Sequence, residues 1–230
     1  MGSGAAGAIP LMDICNGRAD GHMQTDMFQP DLQGLNLLPS DGELNDFGRV
    51  FYGREADISL HRLLRDVPWQ ANTALVNGQV IKSGRQLAWY ADDKFRYTHS
   101  GLLREAIVWE LPILELIKNR VERVTGATFN SCVLNLYHNG SQGMGWHSDR
   151  EAVGAHSLIA SVSVGATRKF ALRHKISGEK RALLLEHGQL IVMRGTTQQH
   201  WLHALMRTQQ TLGPRISLTF RLFPAHEDWS

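Results

Sequence analysis

Cysteine is almost absent from this sequence: Cys15 and Cys132 are its only two. So few and so far apart, they make neither a zinc-finger spacing nor a disulfide framework, and a reducing compartment suits them. Long apolar runs are also missing. No stretch approaches the roughly 18 residues of a membrane span, and the N-terminus lacks the basic start and apolar core of a secretory signal. Nor does one sign of charge dominate, since 24 Lys and Arg stand against 22 Asp and Glu. Any polyanion would have to be met by cations gathered locally. There is no internal repeat. These absences lead us to expect a soluble intracellular protein, cytoplasmic or (in a eukaryote) nuclear, monomeric and without a membrane.

What is present changes rhythm along the chain. Residues 1–43 are rich in Gly, Ala, Asp, Gln and Pro without periodicity and read as a flexible N-terminal leader. From Arg54, the residues Leu60, Leu63, Leu64 and Val67 recur at helical spacing until Pro68 ends the segment. Asn77-Gly78 marks a hairpin turn. A second helix is expected from Pro112 to Gly126, burying Ile113, Ile117, Val121 and Val124. Beyond residue 128, "SCVLNLY", "LIASVSVG", "RKFALRH", "RALLLEHG", "QLIVMRG" and "RISLTFRLF" read as six strands between Gly or polar turns. The fold class is therefore mostly β with flanking helices (α+β), around a double-stranded β-helix or jelly-roll core. Three regions follow: 1–43, 44–128 and 129–224.

Period-two geometry then selects residues that can share a site. In "SCVLNLY", Val133, Asn135 and Tyr137 face one side, opposite Cys132, Leu134 and Leu136. In "RISLTFRLF", Arg215, Ser217, Thr219 and Arg221 oppose Ile216, Leu218, Phe220 and Leu222. The polar side is either a surface bathed in water or a polar interior. The triplet His147-Ser148-Asp149 is unremarkable alone, since His226-Glu227-Asp228 has the same form. On an extended segment, however, His147 and Asp149 project to the same side. Two imidazoles and one carboxylate form the facial triad that holds non-haem Fe(II) and leaves positions open. Either His200 or His203 in "TQQHWLHALM" is the candidate third ligand, with Arg215 following twelve residues after His203.

With these motifs in place, residues 129–223 resemble the catalytic core of the AlkB family of Fe(II)- and 2-oxoglutarate-dependent nucleic-acid dealkylases. The resemblance is carried by "NLY", "WHSDRE", "IASVSVGATRKFALRHK", "HGQLIVMRGTTQQHWLH" and "RISLTFR", and is nearest the branch that includes the animal DNA-repair members. "VPW", "RQLAWYAD" and "YTHSG" are similar to that branch's nucleotide-recognition lid. The resemblance implies that His147, Asp149 and His203 ligate iron, His203 being preferred because it lies two after Trp201. It implies that Asn135, Tyr137, Arg215, Ser217, Thr219 and Arg221 hold 2-oxoglutarate, for which arginines are apt because they bind carboxylates bidentately. Tyr97, His99, Arg150 and Glu151 are implied as contacts to a flipped base. Three positions depart from the family pattern: Ser217 where Asn is frequent, Met206 where Pro is common, and Arg150 where an acid follows the ligand Asp.

The expected activity is dealkylation of N-alkylated DNA bases such as 1-methyladenine and 3-methylcytosine, with Fe(II), 2-oxoglutarate and O₂. A demethylase of RNA or of protein side chains uses the same chemistry, and a non-catalytic jelly-roll binding module is the other alternative. Arg168, Lys169, Arg173, His174, Lys175, Lys180 and Arg181 crowd one expected hairpin. It reads as a patch that tracks phosphates, against the alternative of a solvated basic turn.

Overall fold

Strands from both sides of residue 128 share one sheet in the computed structural model, which describes residues 35–76, 79–99, 102–149 and 157–223. Seven strands lie in the order β1 (Glu43–Arg49), β12 (Gln189–Arg194), β9 (Ile159–Gly165), β14 (Arg215–Arg221), β7 (Ser131–Tyr137), β3 (Gln79–Ala91), β2 (Gln70–Val76). A two-residue strand, β6 (Ile107–Val108), runs parallel to β3. The second sheet has four strands in the order β11 (Lys180–Leu185), β10 (Arg168–His174), β13 (Trp201–Leu205), β8 (Met144–His147). β4 (Arg96–His99) and β5 (Leu102–Glu105) pair by themselves. Of the region 44–128, β1, β2 and β3 belong to this larger sheet.

All six strands expected beyond residue 128 are present. β8 and β13 are additional. Each is too short to show alternation, and Gly145 interrupts the pattern of β8. α1 (Gly53–Asp66) and α2 (Pro112–Thr125) fall where helical periodicity put them. Val67, which precedes Pro68, is extended at φ −76°, ψ 129°, as the proline ring requires. Gly126 ends α2 in the left-handed region at φ 67°. Both helices cover the outer face of the larger sheet. There Leu63, Ile113, Ile117 and Val121 join Cys132, Leu134, Leu136, Ile216, Leu218 and Phe220 in one buried cluster. No helix among the described residues is long and apolar enough to cross a membrane. Residues 1–34 of the N-terminal leader, the Asn77-Gly78 turn, Arg150 and Glu151 lie outside the described residues. The leader's last stretch is instead packed, with Leu38 buried in a core cluster and the Leu37 amide donating to Leu44 O at 2.8 Å.

With its apolar side turned to the helices, each central strand presents its alternate residues to the interior between the sheets. This settles the earlier choice between a watered surface and a polar interior. Arg215 pairs with Tyr137 and Gly165 across the ladder, Ser217 with Asn135 and Ser163, Thr219 with Val133 and Ser161. Rows of polar side chains therefore meet inside the roll.

Candidate active site

The interior holds a cavity of about 140 Å³. His147, Asp149 and His203 converge on it, each offering one ligand atom, all within 4.8 Å of one another. The backbone brings this about. His147 and His203 are cross-strand partners of β8 and β13, which puts their ring centroids 4.2 Å apart. Asp149 follows two residues after His147. Its carboxylate lies 4.0 Å from His203 Nε2 and 3.5 Å from an Arg221 guanidinium nitrogen. His200 lies in the short helix α3 (Thr197–His200), where its ring stacks on His174 with centroids 6.1 Å apart. It is not in the convergent group.

Neighbouring groups fix these side chains. His147 Nδ1 is 2.8 Å from the Gly145 carbonyl oxygen. A carbonyl only accepts, so Nδ1 carries a proton and Nε2 is the ring nitrogen left to meet a cation. The Asp149 amide donates to Gln198 Oε1 at 3.0 Å. Burial, above all, pushes the His203 imidazole down to about 4; His147 and Arg221 push the same way, against Asp149. The ring is neutral near pH 7 and available to a cation. Two imidazoles and a carboxylate suit Fe(II).

The loop before β8 is held by Arg168. Although it belongs to the expected basic hairpin, this side chain is buried and donates to four carbonyls. They are Asn139 O (3.1 Å), Gly140 O (3.1 Å), Gln142 O (2.6 Å) and Met206 O (2.7 Å). A Cβ at Gly140 would lie 2.6 Å from Gln210 O, and one at Gly143 2.5 Å from Leu205 O, so the chain passes too closely for any larger residue. Other members of the hairpin also have internal partners. Lys175 Nζ donates to Gln198 O at 2.9 Å, buried His174 faces Asp41, and Arg173 lies over the Trp146 ring at 4.9 Å. Arg181 pairs with Glu179.

Along β14 the site changes character. Asn135, Tyr137, Arg215, Ser217, Thr219 and Arg221 all line the cavity. Arg215 is 2% exposed, donates to Ser163 Oγ at 2.8 Å and lies 5.7 Å from the centre of the Tyr137 ring. Burial first, and then Arg168, bring its pKa down to about 10 while Tyr137 opposes them, so it stays a cation at neutral pH. Its Nε has no hydrogen-bond partner. An orphaned donor on a buried cation fits an anionic ligand.

Comparison with known proteins agrees with this arrangement. Residues 49–221 match the 2OG-Fe(II) oxygenase superfamily. Human alpha-ketoglutarate-dependent dioxygenase alkB homolog 3 is 38% identical over 178 residues, covering 73% of this chain and 62% of that protein. Human DNA oxidative demethylase ALKBH2 is 39% identical over 186 residues, covering 75% of this chain and 70% of that protein. The chain belongs to the AlkB family. It spans a little under two thirds of the length of the alkB homolog 3 proteins it matches. The solved structure of OsALKBH1 shares the fold at a TM-score of 0.57 with 15% identity, covering 81% of this chain and 98% of that one.

Of the base contacts implied by resemblance, Tyr97 and His99 lie on β4, but their side chains are outside the described residues, as are Arg150 and Glu151. Among the cavity residues that were not anticipated are Asn72, Arg85, Arg104, Ser161 and Met193. Ser161 could have been found, since it alternates with Ser163 on β9 and so shares its face. Arg85 opens the quoted "RQLAWYAD" but was not singled out within it, and Arg104 gave no signal in its short segment.

Proposed function

We propose that this AlkB-family chain is an Fe(II)- and 2-oxoglutarate-dependent dioxygenase that removes alkyl groups from N-alkylated DNA bases, among them 1-methyladenine and 3-methylcytosine. The observation that carries the reading is the convergence of His147, Asp149 and His203 in a cavity that also receives Arg215 and Arg221. His147, Asp149 and His203 would hold the metal. Bound Fe(II), with O₂ and 2-oxoglutarate, supplies the oxidising power to hydroxylate an alkyl carbon on nitrogen, after which the hemiaminal releases formaldehyde.

The chain's own residues position and protect. Arg221 is next to Asp149, and Arg215 is six residues away on the same strand, up to about 20 Å between Cα atoms. They are too far apart to clamp one carboxylate together, which suits the two ends of a dicarboxylate. Asn135, Tyr137, Ser217 and Thr219 would complete its binding. Leu87, Trp89, Val133 and Phe170 line the cavity and limit water there. A base must leave the helix stack to enter, and Tyr97, His99, Arg150 and Glu151 are the proposed contacts to it. Exposed Lys169 and Lys180, with stacked Arg173, remain for phosphates. ALKBH2 is named a DNA oxidative demethylase, and the identity over most of both chains supports the same reaction class here. The test is to supply Fe(II), 2-oxoglutarate and O₂ with methylated DNA, methylated RNA or a methylated peptide and read the products by mass. Demethylation of DNA first among the three is expected. Demethylation of peptide alone would refute the reading.

A further inference from the structure

The three sides of the ligand triangle are not held alike. His147 and His203 are fixed to each other by the β8–β13 ladder, in which they are partners. Asp149 lies beyond the end of β8 (Met144–His147), where that ladder gives it no support. Its backbone is met instead from α3. The Asp149 amide donates to Gln198 Oε1 at 3.0 Å. Gln198 is 4% exposed, so the end of its side chain has little freedom to turn. A backbone N–H only donates, which puts the side-chain oxygen towards Asp149. The side-chain nitrogen then faces Met193 Sδ, a weak acceptor, at 3.5 Å.

The platform that carries Gln198 is itself tied down. A helix as short as α3 has no stability of its own, so its anchors decide whether it stays in place. Buried Thr197 Oγ1 accepts from the Glu43 amide at 2.8 Å and donates to Arg194 O at 2.6 Å. Lys175 supplies two more bonds, from its amide to His200 O at 2.8 Å and from its Nζ to Gln198 O at 2.9 Å. α3 leads directly into β13, the strand of His203. A side chain fixed beside one ligand therefore holds the backbone of another.

We propose that Gln198 is a positioning residue for the metal: it closes the ligand triangle by tying Asp149 to α3, and so sets metal affinity and the approach of the carboxylate without touching the ion. The inference rests on the reading of His147, Asp149 and His203 as the metal's ligands. Its physical basis is preorganisation. Without the tie, the Asp149 segment has to be ordered when the cation binds, and the entropy lost there is taken from the affinity. Groups that orient a metal's ligands from behind commonly carry about 10–100-fold in affinity.

The test is an anaerobic titration of the full chain with Co(II), whose visible absorption reports ligand geometry without any turnover. Gln198→Met keeps the length of the side chain and removes the acceptor. It should weaken Co(II) binding by about 10–100-fold and alter the absorption. Gln198→Glu offers the Asp149 amide an acceptor oxygen in either protonation state, and should keep the wild-type absorption. Gln198→Asn falls one methylene short and should behave like Gln198→Met; it takes over the test if urea melts show that the methionine variant does not fold. Wild-type affinity and absorption in the methionine or asparagine variant overturn the inference. So does an equal loss in Gln198→Glu and Gln198→Met, which would leave Gln198 only filling its buried site. Wild-type protein that binds no Co(II), or a His203→Ala variant that binds it as well as wild type, defeats the metal-site reading itself.

Discussion

Replacing Arg215 by Met should move two properties in opposite directions. In the folded chain the guanidinium is 2% exposed and its pKa is about 10 against an ordinary 12.5. At 1.36 kcal/mol per unit, that depression corresponds to about 3 kcal/mol of disfavoured charge. The sign is straightforward. Below pH 10 the group is charged whether the chain is folded or not, so at pH 7 the whole cost falls on the folded state. Methionine removes the charge and fills similar space. It also takes away one hydrogen bond from Ser163 Oγ, worth about 1 kcal/mol. The balance leaves the ligand-free variant about 1–2 kcal/mol more stable than wild type, in line with apolar replacement of other buried ions. Binding should go the other way. Losing one partner of a buried ion pair costs about 3–5 kcal/mol, so the KM for 2-oxoglutarate should rise by two orders of magnitude or more. Urea melts with and without 2-oxoglutarate measure the first effect, and initial rates against 2-oxoglutarate concentration the second. Wild-type protein should be stabilised by 2-oxoglutarate and the variant scarcely at all. A variant that is less stable without ligand yet keeps its KM would refute both steps of the reasoning.

Two further outcomes follow from the triad. His147→Ala, Asp149→Ala and His203→Ala should each abolish iron binding and dealkylation while His200→Ala preserves both, as read by metal titration and formaldehyde release; loss in His200→Ala with survival of His203→Ala would reverse the assignment. Without metal, His203 titrates near 4 when folded and near 6.5 when unfolded, so its contribution to stability is complete above about pH 6.5, is lost as pH falls toward 4, and amounts to about 3 kcal/mol. Urea midpoints of the metal-free protein should show that fall, and in His203→Gln this part of it should vanish; an identical pH dependence in the two proteins would place the titrating group elsewhere.

How much of this could be read from the residues depends on what each one answers to. The β14 face was legible because Arg215, Ser217, Thr219 and Arg221 alternate with four apolar residues, and a strand buried on both sides has to sort them so. α2 was legible for a similar reason, with Pro112 and Gly126 marking its ends. Chemistry at short range was also visible, since His147 and Asp149 share a side of any extended segment. The hairpin of seven basic residues was where sequence proximity misled. Arg168 is a neighbour of Lys169 in the chain, but its side chain points the other way, into a cage of carbonyls from residues 139–142 and 206. A period-two strand gives half of any charged run to the interior, so counting the cations overstated the surface patch. Arg85 and Arg104 were missed for the opposite reason. Each is isolated among residues of mixed character, and only the register of β3 against β7 and the contact of Arg104 with β2 bring them to the cavity. A buried cation of this kind is set by long-range topology, which local pattern does not encode. Cavity residues on peripheral strands will therefore be harder to read from one sequence than ligands fixed by a short motif.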